Sequence, residues 1–285
     1  MKTFNTSKPA RRTLLISLAT VLAAGSLFGE IVYSSIPKPL PGNVASVGYE
    51  ATSTSEFGNG VNLAPGTARD LTNISVVMSN WALHSTYPTV GTAAGYYHPL
   101  TLNLYNVGAG GAVGSAIASR TVNAFIAWRP ENGTCNPDGQ AYISPVDGGC
   151  YHGSASTVNF DFSSDGVTLP DSIIFGLAYN TADYGASPIH AAGPYNSLNF
   201  GAEGGPSIGS NIYTDGAYLN STWAGAYADG GTTGTFRLNR PTLAADSWEG
   251  FSPEIEINAI PEPGTLALLG SALVALGMGF RKRVA

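Results

Sequence analysis

Apolar and polar residues alternate with a period of two along the middle of this chain, and this pattern constrains the fold more than any other feature. Three segments show it most clearly: Ile74, Val76 and Met78, with Val77 as a fault in the pattern; Leu100, Leu102 and Leu104; and Val158, Phe160 and Phe162. Such a period is typical of β-strands with one face toward solvent. It predicts strands at these three places, with Thr101, Asn103 and Tyr105 on the solvent side of the second.

Two further segments add strands of different character. The stretch from Ile173 to Tyr179 is apolar on both sides, which favours a central strand. The stretch 251–257 predicts the last strand, with Glu254 and Glu256 outward and Ile255 and Ile257 inward. Weaker candidates lie at Ile117, at 122–128 and at 198–200.

Turn-forming residues separate these segments, and the chain contains 36 Gly and 18 Pro. Eight or more short strands without a long helical period indicate an all-β fold. We predict an antiparallel β-sandwich, jelly-roll-like in preference to immunoglobulin-like. No internal repeat or long linker interrupts residues 30–258, which we interpret as one extracellular domain.

The N-terminal 29 residues have the order of a secretory signal peptide. Basic residues up to Arg12 are followed by the apolar stretch 14–22 and by small residues at 23–26. We expect a signal helix in 1–29 that engages the export machinery and is removed by signal peptidase near residues 26–29. The Arg11-Arg12 pair leaves the twin-arginine route open beside general secretion, and a retained N-terminal anchor is the alternative.

A second apolar segment lies at the other end, where 264–280 contains no charge and 281–283 are all basic. As a helix, these 17 residues reach about 25 Å, somewhat less than the hydrocarbon core of about 30 Å. They span a membrane only with local thinning or snorkelling. Basic flanks stay in the cytoplasm, so the middle of the chain lies outside. A buried core helix is the alternative.

The sequence Pro261-Glu262-Pro263, followed by this apolar helix and the basic tail, resembles the PEP-CTERM sorting signal of bacterial exported proteins. The resemblance is confined to the C-terminal segment 259–285. It implies recognition by exosortase, an integral-membrane enzyme similar to cysteine transpeptidases, in bacteria that make extracellular polysaccharide. It also implies transient anchoring in the inner membrane, followed by release to the cell surface or extracellular matrix. A plain single-pass anchor with a proline hinge is the alternative.

Cys135 and Cys150 are the only cysteines in the chain. In an exported protein, two cysteines most simply form one disulfide. The nearby His152 completes no recognisable zinc pattern, since the cysteines form no C-x-x-C pair.

Charge and motifs exclude several function classes. Residues 30–260 carry six basic and 18 acidic side chains, which argues against nucleic acid as a partner. Ser207 lies in a G-x-S-x-G sequence, yet all four histidines precede it, contrary to the chain order of that nucleophile motif. We therefore expect no enzymatic activity.

Two groups of residues are candidate binding sites. Trp128, Trp223 and Trp248 are expected to be exposed and to form a platform on which sugars stack. Asp161 and Asp165 are candidates for a structural Ca²⁺, because they lie in oxygen-rich turns; no other cofactor is indicated.

Three functions fit this sequence. The first is a surface or matrix protein that binds glycan or surface components without catalysis, with extracellular polysaccharide as its partner. The second is an enzyme acting on extracellular polysaccharide, since paired carboxylates cannot be recognised from sequence spacing. The third is a purely structural matrix component.

Overall fold

The computed structural model describes residues 29–52, 54–131, 135, 140–185, 191–212, 218–221 and 252–261. The strands within these residues are β1 (Glu30–Ser34), β2 (Ser46–Gly48), β3 (Thr54–Asn62), β4 (Ala68–Asn80), β5 (Gly95–Val107), β6 (Val113–Ala127), β7 (Tyr142–Ile143), β8 (Cys150–Tyr151), β9 (Ser154–Asp161), β10 (Ser172–Tyr179), β11 (Leu198–Glu203), β12 (Ser210–Asn211), β13 (Tyr218–Ser221), β14 (Ser252–Pro253) and β15 (Ile255–Pro261). One helical turn, α1, occupies Tyr49–Thr52, and 3-10 turns occupy His84–Thr86, Ala109–Gly111 and Pro194–Ser197.

The strands form two antiparallel sheets that pack together, consistent with a β-sandwich. In the first, sheet A, β4 pairs with β9 along one edge and with β15 and then β11 along the other, while β1 pairs with β15. In the second, sheet B, the order is β12-β3-β10-β5-β6, with β13 also paired to β3. A separate hairpin joins β7 to β8.

The core lies between the sheets and is formed by the apolar positions of the alternating pattern. Ile74, Leu102, Phe160, Phe175 and Ile257 are all fully buried and belong to one cluster. Burying a side chain of this size contributes about 1.5–3 kcal/mol to stability. The structure confirms which residues face the core in β4, β5, β9, β10 and β15. It also confirms β10 as a central strand, between β3 and β5.

The outer face of sheet B differs from the prediction at two positions. Asn103 and Tyr105 are buried, although the alternation placed them toward solvent. The cause is Glu56 on β3, whose Oε1 accepts hydrogen bonds from Asn103 Nδ2 (3.2 Å) and the Tyr105 hydroxyl (3.1 Å). The Glu56 side chain lies across β10 at Gly176, where a Cβ atom would come within 2.0 Å of Glu56 Oε1.

The prediction that Glu254 points outward is wrong, since this residue is buried. Its backbone N–H donates to Gly201 O, and its carbonyl accepts from Val77 N–H, so it lies between two strands of sheet A. The side chain lies against Gly201, which has no Cβ to exclude it. Glu254 is buried because its backbone lies inside sheet A, between the strands that contain Gly201 and Val77.

The predicted disulfide is confirmed: Cys135 and Cys150 are bonded, with a Cα–Cα distance of 5.9 Å. Cys150 begins β8, so the bond closes a segment with a sequence separation of 15 that includes β7. The bond stabilises a loop at the margin of the sandwich, because neither cysteine belongs to the core cluster.

Parts of the predicted architecture stay predictions. The jelly-roll-like connectivity is one of them, and the signal helix in 1–29 and the apolar helix 264–280 lie outside the described residues. Within the described ranges, none of the helical segments has the length and apolarity needed to cross a bilayer.

Candidate functional site

The first part of the predicted sorting signal is a strand of sheet A. Ala259, Ile260 and Pro261 are the last residues of β15 and lie opposite Leu71, Asp70 and Ala68 of β4, respectively. The domain boundary predicted at residue 258 therefore falls inside a strand. Of the three motif residues, Glu262 and Pro263 lie outside the described residues.

Pro261 is buried, and it ends the strand. Proline has no N–H to donate, so it is tolerated in sheets at strand ends and bulges. Both conditions hold here, since the register with β4 shifts between Ile260 and Pro261. Pro261 is thus in an extended conformation at the end of a strand, and Glu262 follows it in the sequence.

The expected exposure of Trp128 is wrong. Its side chain is buried, its indole Nε1–H donates to Thr92 O (2.7 Å), and its ring packs against Tyr96 and Tyr87. The apolar ring completes one end of the core, so neither face is free to stack on a sugar. Trp223 and Trp248, the other two members of the predicted platform, lie outside the described residues.

Exposed aromatic side chains occur instead on the outer face of sheet B. Tyr97 on β5 is 62% exposed, and Phe125 on β6 is 46% exposed. The two residues are cross-strand partners, and their rings meet edge to face with centroids 5.4 Å apart. Because Leu100 and Leu102 face the core, the odd-numbered residues of β5 at this end face outward, which explains the position of Tyr97.

Tyr97 forms one wall of a cavity of about 330 Å³, which we call the Tyr97 groove. Its lining consists of Tyr97, His98, Pro99, Thr101, Thr121, Ala178, Tyr179, Asn180, Ala191 and Tyr195. These residues come from β5, β6 and the end of β10, together with the segment before β11. Two exposed hydroxyl groups of the lining, from Thr101 and Thr121, lie 2.8 Å apart.

Asn180 is the most unusual polar residue of the groove. It is only 8% exposed, yet its side-chain Oδ1 has no hydrogen-bond partner among the described residues. A buried acceptor without a partner costs about 1–3 kcal/mol. The backbone carbonyl of Asn180 is satisfied, because it accepts a 2.8 Å hydrogen bond from His98 Nε2.

The groove is uncharged at neutral pH. Burial lowers the pKa of His98 to about 4, against the opposing effect of its hydrogen bond to Asn180, so the imidazole is neutral. Its ring stacks on Tyr195 with centroids 3.9 Å apart. On the outer face of sheet B, burial raises the pKa of Glu56 to about 8, although hydrogen bonds from Asn103 and Tyr105 act in the opposite direction. The groove therefore suits a neutral polar ligand.

The carboxylates of the two calcium candidates, Asp161 and Asp165, interact with other residues of the protein. Asp161 Oδ1 accepts from the Ser163 backbone N–H (2.9 Å), and Asp165 forms an ion pair with Arg120. No group of three or more His, Cys, Asp or Glu side chains among the described residues is placed to hold a metal ion. The carboxylates of these turns thus have structural partners.

Comparisons with known proteins identify the C-terminal segment. A family model described as the PEP-CTERM protein-sorting motif matches residues 259–283. Neither the comparison with curated proteins nor that with solved structures finds a match. The matched segment begins inside β15 and includes Pro261, the last residue of that strand. The chain therefore carries a PEP-CTERM sorting motif, which marks it as an exported protein that exosortase processes at its C-terminus for the cell surface.

Proposed function

We propose that this protein is a non-catalytic carbohydrate-binding component of the cell surface or extracellular polysaccharide matrix, and that the Tyr97 groove is its binding site. The resemblance to the PEP-CTERM signal implies a bacterium that makes extracellular polysaccharide, which an exported and sorted domain would meet at the cell surface. The observation that carries the proposal is Asn180, a groove residue whose buried Oδ1 lacks a partner among the described residues and which shares the groove with the exposed Tyr97.

The chemistry of the groove matches that of a neutral sugar. The C–H face of a sugar ring packs on an aromatic ring such as Tyr97, and a sugar hydroxyl donates well to an amide oxygen such as Asn180 Oδ1. The Thr101 and Thr121 hydroxyls supply further donors and acceptors at the surface. A ligand hydroxyl that satisfies Asn180 would also recover the cost of its burial.

The absence of catalysis is part of the proposal. Glycoside hydrolysis generally needs two carboxyl groups on either side of the scissile bond. No carboxylate is among the described residues that line the groove, and its one histidine is buried and neutral.

Isothermal titration against soluble neutral and acidic polysaccharides tests this function. We expect binding of a neutral polysaccharide in the millimolar range, about −4 kcal/mol. Tyr97→Ala should weaken binding at least fivefold, about 1 kcal/mol. Asn180→Ala should weaken it without lowering the stability of the fold. Ile143→Ala is the matched control, because Ile143 is an exposed apolar residue (57%) on the β7–β8 hairpin, away from the groove.

Three outcomes would contradict the proposal. Absence of binding to any polysaccharide favours a structural matrix component. Binding that neither Tyr97→Ala nor Asn180→Ala changes would place the site elsewhere. Release of sugar products that a single carboxylate substitution abolishes would establish the enzymatic alternative.

A further inference from the structure

The two ends of the folded domain leave it at the same place. Glu30, the first residue of β1, is the Cα partner of Ala259, two residues before the end of β15. Pro261, the last described residue, lies opposite Ala68 at the start of β4. The signal peptide expected before residue 30 and the sorting motif that continues at Glu262 are therefore attached to one end of sheet A.

Two turns lie at this end, which we call the tether pole. Residues 63–67 connect β3 to β4, and residues 162–171 connect β9 to β10. These two turns are joined to each other: Leu63 N–H donates to Asp171 O (2.8 Å), and Arg69 pairs with the Asp171 carboxylate (2.7 Å). Ala68, the Cα partner of Pro261, directly follows the turn 63–67 as the first residue of β4. The two turns therefore form a continuous surface next to Pro261.

The sequence leaves little distance between this surface and the membrane. From Pro261 to Gly264, where the apolar segment begins, the chain advances three residues and reaches at most about 11 Å. The headgroup layer alone is about 5–8 Å thick on each side of the bilayer. An enzyme that recognises the motif at the membrane must therefore work directly against the tether pole, unless the end of β15 separates from the sheet.

The charges at the tether pole favour a protein partner over the lipid surface. Anionic lipids attract exposed basic residues. Here Arg69 and Arg120 form ion pairs with Asp171 and Asp165, and the Asp171 side chain is 89% exposed. Glu30 is also exposed. The exposed turn residues Pro65, Gly66 and Thr67 are small, which permits close approach of another protein.

We propose that the membrane-embedded sorting enzyme binds the folded domain at the tether pole, through the turns 63–67 and 162–171, while it acts on the motif. In this arrangement β15 stays paired to β4 through Pro261, and Glu262 is the first residue offered to the enzyme. The Tyr97 groove lies far from the tether pole. Asn180 in the groove follows Ser172 at the tether pole by eight residues, which is about 26 Å along the direction of β10. This interaction does not depend on the carbohydrate-binding proposal.

Site-specific photo-crosslinking in membranes of the native host tests the contact. A photoreactive phenylalanine analogue is placed at Thr67 or Pro170 of the full-length chain, and the catalytic cysteine of the enzyme is substituted so that the substrate is held. Ala93 and Asn123 are the matched control positions, because they are exposed and lie at the opposite end of the strands. We expect at least tenfold more adduct with the enzyme from the tether-pole positions.

A processing assay with the active enzyme gives an independent measurement. Thr67→Arg combined with Ser164→Arg should slow tail removal at least fivefold while the motif itself is unchanged. The Asn123→Arg variant should be processed at the wild-type rate, and a cooperative urea unfolding transition confirms that each variant is folded. Any of three results would overturn the proposal. These are equal amounts of enzyme adduct from the tether-pole and control positions, adducts formed only with lipid, and unchanged processing of the double variant.

Discussion

Replacement of Glu56 by glutamine should change how the stability of the domain depends on pH. Glu56 is completely buried on the outer face of sheet B, and its pKa rises from 4.5 to about 8. The folded state therefore holds a proton that the unfolded state releases between these values. Stability falls as pH rises, by about 1.4 kcal/mol per pH unit and about 5 kcal/mol in all.

His98 has the opposite effect over a lower range. Its pKa falls from 6.5 to about 4 because the ring is buried, so between these values the unfolded state binds more protons. Its contribution to stability is complete above pH 6.5 and is lost on acidification, by about 3 kcal/mol in all. The two slopes cancel between pH 4.5 and 6.5. We expect a stability plateau there and a loss of about 2 kcal/mol between pH 6.5 and 8.

Urea unfolding of the purified, disulfide-intact protein at pH 4, 5, 6.5 and 8 measures these slopes. Glu56→Gln keeps the shape and the hydrogen-bond acceptor, but it removes the titration. This variant should show no loss between pH 6.5 and 8. His98→Gln is the matched control and should retain that loss while losing the acid-side slope. If wild-type stability were unchanged from pH 6.5 to 8, or if Glu56→Gln fell in parallel with it, the assigned burial of Glu56 would be wrong.

Three other changes test the described contacts. Gly176→Ala should destabilise the fold by about 1–3 kcal/mol, because its Cβ would displace Glu56, and in a Glu56→Ala background urea unfolding should show a smaller cost. Replacing both Cys135 and Cys150 by serine should cost about 3 kcal/mol for a 15-residue loop, and alkylation of the exported wild-type protein without reductant should label neither cysteine. Phe160→Ala should cost about 3–5 kcal/mol in the same unfolding assay, and a value near that of a surface substitution would contradict its place in the core.

The sequence predicted the strands whose inward positions are uniformly apolar. The inward residues of β4, β5, β9 and β10 have large aliphatic or aromatic side chains, so the amino-acid sequence shows the period of two directly. The inner face of β3 carries Asn59 between Phe57 and Val61, and its outer face carries Glu56 and two glycines. Gly58 is required there because a Cβ would come within 1.7 Å of Phe175 O. No local pattern marks such a strand, and β3 was not predicted.

The candidate site was only partly predictable, for a related reason. The sorting motif is a short contiguous signal, and it was found from the sequence. The Tyr97 groove combines residues from three strands and from the segment before β11, and nothing in the sequence brings Asn180 near Thr121. The register of β5 does place Tyr97 outward once Leu100 is assigned to the core. Trp128 was chosen as an aromatic residue beside loop-rich segments, and such a residue is buried as readily as it is exposed.

The intact mass of the protein extracted from the cell surface tests the central claim most directly. We predict a mature chain that begins near residues 27–30 and ends close to the Pro261-Glu262-Pro263 segment, and in a host without the sorting enzyme the chain should retain the tail. A surface form that still contains residues 264–285 in the presence of the enzyme would contradict sorting by cleavage and would establish a plain membrane anchor.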